Sequence, residues 1–160
     1  MVPPARQSNL HANSPPNSRL IFLIIAILAA AGMAVSAISL QRHYAKSKTT
    51  LCDFGEKFNC DIVNRSEYSS VMGIPVAAIG MAGYGALFAL AAFYRKRADT
   101  TMRLLLFALA GLAFALYLTY IEAYVLDTWC VLCLGSLALI ASITLLAGVA
   151  QVQSRTAHSR

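Results

Sequence analysis

Four long apolar runs, separated by short polar stretches, dominate the pattern of the chain. The first, Leu20 to Leu40, reads "LIFLIIAILAAAGMAVSAISL" and carries no charge. It matches the ~20 residues that cross a bilayer as a helix. A cleavable leader fits it less well, because such leaders have an apolar core of ~7–15 residues and this run is longer and starts later. The second run, Val71 to Tyr94, ends at "YRKR". The third spans roughly Leu104 to Leu126, between Arg103 and Asp127, and the fourth roughly Trp129 to Val152. The pattern predicts an all-α fold, an integral membrane four-helix bundle with a long extracytoplasmic loop between helices 1 and 2. Residues 1–18, rich in Pro, Ser and Asn, read as a disordered cytoplasmic tail. Residues 19–152 form the membrane domain, and 153–160 a second cytoplasmic tail.

Composition supports this reading. Apolar residues make up 58% and charged residues 12% of the chain, against roughly 25% charged in soluble domains. An ordinary soluble domain is excluded. The net charge of +6 comes without a basic stripe carrying interleaved aromatics, so no nucleic-acid partner is expected. Basic residues gather instead at the two termini and in "YRKRADTTMR". The bias toward basic cytoplasmic loops therefore places both termini and that loop in the cytoplasm. The segment Gln41 to Ser70 and the turn at Asp127–Thr128 then face outward.

All four cysteines, Cys52, Cys60, Cys130 and Cys133, fall on that outward side. This is where thiol–disulfide chemistry operates. Cys52 and Cys60 are eight positions apart, wider than the ~2–4 intervening residues of zinc-binding pairs, and no metal site is expected. Two structural disulfides in a non-enzymatic membrane scaffold are a second reading. A C-x-x-C bridge closes so small a loop that it adds little stability. The third reading is redox. Asp127 or Thr128 as N-cap would put Cys130 in the first turn of the last helix, where the helix dipole favours a thiolate. Cys133 lies one turn deeper. Cys130 is then expected to face water and protein thiols, and Cys133 the apolar interior, within reach of a membrane-soluble oxidant.

Other residues have candidate roles. Glu122, an acid near the outer end of the third span, is a candidate proton relay or simply an interfacial residue. Trp129 is either an interfacial anchor or part of the wall of a quinone site. Gly80, Gly83 and Gly85 are expected to allow close helix packing. His43, near the outer end of the first helix, reads as a surface residue.

The stretches "LCDFGEKFNCDIVNRSEYS" (Leu51–Ser69), "GIPVAAIG" (Gly73–Gly80) and "YLTYIEAYVLDTWCVLC" (Tyr117–Cys133) resemble the vitamin K epoxide reductase family. The likeness runs over roughly residues 20–150. The wider cysteine pair comes first and the C-x-x-C opens the last helix, the reverse of the order in the other four-helix disulfide oxidase of bacterial membranes. The resemblance implies a four-helix bundle around a quinone, ubiquinone or menaquinone. It implies that Cys133 reduces the quinone, that Cys130 exchanges with Cys60, and that Cys52 meets the partner protein. It also implies that Ser66 lies near the ring. Many bacterial members carry a fused thioredoxin-like domain. This chain ends at Arg160, so its partner is expected to be a separate thioredoxin-like protein, with the active face toward the periplasm or exterior of a bacterial inner membrane. Leu137 stands where the animal enzymes have a ring-holding tyrosine. Quinone reduction coupled to disulfide formation is therefore expected, with vitamin K epoxide reduction as the alternative.

Overall fold

The computed structural model describes residues 16–44, 59–94 and 100–158. Cys52 and residues 95–99 lie outside the described residues, as do most of the N-terminal tail and the last two residues. In chain order the elements are α1 (Pro16–Tyr44), α2 (Cys60–Arg65), a 3₁₀ turn (Glu67–Ser69), β1 (Ser70–Val71), β2 (Ile74–Pro75), α3 (Val76–Ala92), α4 (Thr100–Tyr124) and α5 (Val131–His158).

The protein is an integral membrane helical bundle. Helices α1, α4 and α5 are each long and apolar enough to cross a bilayer. Helix α3 is shorter, at 17 residues, or about 25 Å at ~1.5 Å per residue. The apolar run expected from Val71 to Tyr94 is thus not helical from its start. Pro75 explains the difference. It has no N–H to donate, and it holds the residue before it in an extended conformation. Residues 70–75 accordingly form a small antiparallel hairpin that pairs Ser70 with Pro75 and Val71 with Ile74. Its tip, Met72–Gly73, has positive φ at both residues (53° and 82°), as the tightest hairpin turns require. Two helices also extend beyond the expected membrane domain. Helix α1 begins at Pro16, inside the stretch expected as a tail, and α5 runs through residues 153–158, because nothing in "QVQSRTAH" breaks a helix.

The core is built where α1, α3, α4 and α5 meet, around Ile25, Ala29, Leu87, Leu104, Ala108 and Ile143. Small residues set the closest approach. A Cβ on Gly32 of α1 would collide with the Tyr84 ring of α3. Tyr84 is held from its other end, where its hydroxyl donates to the Ser136 carbonyl of α5 at 2.8 Å. The ring therefore cannot swing away without breaking the bond. Gly32→Val is expected to cost about 1–3 kcal/mol, read as a lower melting temperature in detergent. Gly32→Ser should give a smaller drop. Of the three glycines expected at a helix contact, only Gly80 meets a neighbour, the Ser36 side chain, while Gly83 and Gly85 face open space.

Candidate active site

The site forms at one end of the bundle, where the C-terminal ends of α1 and α4 meet the N-terminal end of α5 and the short helix α2. Asn59 caps α2: its Oδ1 accepts from the backbone N–H groups of Asp61 and Ile62 at 3.0 and 3.1 Å. The Asn59 N–H donates to the Trp129 carbonyl at 3.2 Å. This backbone bridge ties α2 to the segment entering α5, and it sets the next residues, Cys60 and Cys130, side by side. Both are buried (1% and 0% exposed) and pack with Val63, Leu126, Leu132 and Cys133. The Cys60 and Cys130 thiols are in hydrogen-bonding contact.

Helix α5 begins at Val131, not earlier, and Cys130 is its N-cap. The Cys130 carbonyl accepts the first helical bond, from Leu134 at 3.0 Å. Its Sγ accepts from the Cys133 N–H at 3.3 Å. Asp127 is instead part of the turn before the helix, with φ of 45°, and Thr128 donates its N–H to the Glu122 carbonyl at 3.2 Å. Two expectations for Cys130 are therefore corrected. It does not face water, and it is not poised as a thiolate by the helix terminus. Its proton is held well above the usual thiol range, chiefly by its hydrogen bond with Cys133, with burial and the neighbouring Cys133 charge adding to this against a lowering contribution from Cys60.

Glu122 is 2% exposed, so it is not an interfacial side chain. Its Oε2 accepts from the Cys130 N–H at 3.1 Å, and the carboxyl also contacts the Cys133 thiol. The α4–α5 turn thus folds the acid back onto the C-x-x-C.

Beneath this cluster lies a cavity of about 350 Å³, lined mainly by apolar side chains. Cys133, Glu122, Ser66, Asn64, His43 and Gly83 contribute to its wall. Cys130 does not. Trp129 is also absent from the wall, one of the two places expected for it; it is half-buried in the segment that bridges to Asn59. Ser66 lies at the end of α2, and its hydroxyl donates to the Val63 carbonyl at 2.8 Å. Leu137 packs against the helical core, outside the cavity lining.

Two residues escaped sequence reasoning. His43 is not a free surface residue: its Nδ1 sits 2.6 Å from the Asn64 carbonyl, so that nitrogen carries the proton and donates. Asn64 is buried, and its amide donates to the Cys60 carbonyl at 2.9 Å while lying 4.0 Å from the Cys130 sulfur. Together they clamp α2 between α1 and α5. No spacing in the sequence announces this, because α2 is six residues long and its neighbours come from elsewhere in the chain.

The arrangement juxtaposes a buried thiol relay, an acid and an apolar cavity that only one of the described cysteines enters. The model of the Vitamin K epoxide reductase family matches residues 23–148, most of the chain. The chain belongs to that family. Family membership makes it a membrane oxidoreductase that links thiol–disulfide chemistry to a quinone. The cavity suits such a group: small-molecule sites are mostly apolar spaces of ~300–1,000 Å³ with a few placed polar groups, and here a thiol and a carboxyl are among them.

Proposed function

We propose that the protein oxidises a separate thioredoxin-like protein on the extracytoplasmic side of a bacterial inner membrane and passes the electrons to a membrane quinone, driving disulfide formation. The observation that carries this reading is the partition of the two C-x-x-C sulfurs: Cys130 touches Cys60, and Cys133 enters the cavity. The partner dithiol reduces the Cys52–Cys60 disulfide through attack at Cys52, and leaves as a disulfide. Cys60 thiolate attacks Cys130 of the Cys130–Cys133 disulfide, which releases Cys133 as a thiolate. Cys52 then closes on Cys60 and releases Cys130, so the C-x-x-C holds the electron pair as two thiols. A bound quinone supplies an acceptor for two electrons and two protons. Cys133 presents the reductant at the cavity wall, and Cys130, one turn away, closes the disulfide again. Glu122, in contact with Cys133 and with the cavity, carries the thiol proton toward the acceptor. His43 and Asn64 hold α2 so that Cys60 stays over Cys130.

Anaerobic titration of the purified protein with a reduced thioredoxin-like protein and quinones of graded potential tests the proposal. One quinol should form per partner disulfide, and the rate should follow quinone potential, since ~30 mV is worth about 1.4 kcal/mol in a two-electron couple. Partner oxidation without quinol formation would refute it. Glu122→Gln keeps the acceptor for the Cys130 N–H but removes the proton carrier. It should slow quinone reduction about 10²–10⁴-fold with little change in disulfide exchange with the partner. Equal losses in both half-reactions would remove Glu122 from the proton path.

A further inference from the structure

A carboxyl oxygen of Glu122 and the sulfurs of Cys130 and Cys133 all lie within 4.8 Å of one another. Glu122 and Cys130 are buried, and Cys133 opens on the cavity. Such a carboxyl is expensive to ionise unless a proton or a cation accompanies it. Its contacts are the Cys130 N–H and the Cys133 thiol, with no ion pair among the described residues. Two sulfurs and one oxygen at this spacing form a donor set for a soft-to-borderline divalent ion. Three protein donors leave the fourth tetrahedral position open. This set differs from the four-cysteine arrangement that the sequence spacing disfavours, because it draws its third donor from α4.

We propose that the reduced protein binds one zinc-class cation through Cys130, Cys133 and Glu122, and that this ion shuts off the redox site. On binding, each of the two thiols gives up its proton and forms a metal–sulfur bond, and a Glu122 oxygen forms the third protein bond. No electron moves. In the disulfide form the sulfurs are bonded to each other and bear no thiolate charge, so the site exists only in the reduced state. The ion and an electron acceptor compete for Cys133. The cation therefore traps the enzyme in its electron-loaded form. The inhibition rests on the oxidoreductase reading above; the binding does not.

The test uses the full chain in lipid nanodiscs, with oxygen excluded. Protein reduced with a phosphine competes for Zn²⁺ with a chromophoric chelator, while a pH indicator follows proton release. One equivalent should bind, with release of at least two protons, and oxidation with diamide should abolish binding. Glu122→Gln should weaken binding about tenfold or more, and Cys52→Ala should bind as the unaltered chain does. Several results overturn the site: no binding by reduced protein, binding that survives oxidation, unchanged affinity in Glu122→Gln, or lost affinity in Cys52→Ala. Since no quinone or partner is present, zinc binding by a protein that fails to reduce quinone would retain the site and reject the proposed function. The reverse result would do the opposite.

Discussion

Cys133→Ala should abolish quinone reduction while leaving the protein folded and able to exchange disulfides with its partner. Cys133 is the only described cysteine in the cavity wall, and Cys130 is sealed behind it among Cys60, Val63, Leu126 and Leu132. With Cys133 gone, no remaining described sulfur reaches an acceptor in the cavity. Loss of a group that reacts directly costs at least about 10³-fold in rate, so turnover should fall to the uncatalysed background. The fold should tolerate the change, because Cys133 is only half-buried and its hydrogen bond to the Cys130 sulfur is donated by its backbone N–H, which alanine keeps. Stopped-flow absorbance of the quinone reads the chemistry, and the melting temperature checks the fold. A Cys133→Ala protein that reduces quinone at the normal rate would put the electron path elsewhere.

Cys60→Ala should separate the two halves of the reaction. Cys60 is the group on α2 that touches Cys130, and it is the residue that the Asn59–Trp129 bridge places there. Without it, electrons from a protein dithiol have no route to the C-x-x-C, and steady-state partner oxidation should fall by at least about 10³-fold. Cys52, with no Cys60 to close on, should accumulate as a mixed disulfide with the partner, visible on a non-reducing gel. The Cys130–Cys133 dithiol, once reduced chemically, should still deliver one equivalent of electrons to quinone in a single turnover. The lost sulfur leaves only a small cavity, so stability should change by about 1 kcal/mol. Normal partner oxidation in this variant would break the proposed relay, and loss of the single turnover would show that Cys60 acts beyond the relay.

Some of the site was legible from residue types and spacing, and some was not. Cys130 and Cys133 were identifiable because a C-x-x-C at the start of an apolar run has few chemical uses. Glu122 stood out because an acid at membrane depth is costly. His43 gave no such signal. A histidine near a helix end reads as a surface residue until another segment is known to lie on it, and here that segment is the six-residue α2. Trp129 left two readings open, interfacial anchor or ring-binding wall; its backbone serves α2 and it does not line the cavity. The state of Cys130 also misled. Helix-terminus electrostatics argue for a thiolate, whereas packing buries the sulfur and hydrogen bonding to Cys133 holds its proton.

By itself, the sequence determined the membrane location and the helical architecture, and it singled out the cysteines as the candidate redox groups. Those follow from apolar run length and residue type, which act locally and are written along the chain. Pro75, too, set the start of α3 through its own ring. Tertiary structure decided how the cysteines divide their surroundings: Cys130 shut in beside Cys60, Cys133 opening on the cavity, and Glu122 folded back against both. Sulfur environment depends on which side chains exclude water and which groups donate hydrogen bonds. Those neighbours come from four helices distant in sequence, and only their packing brings them together.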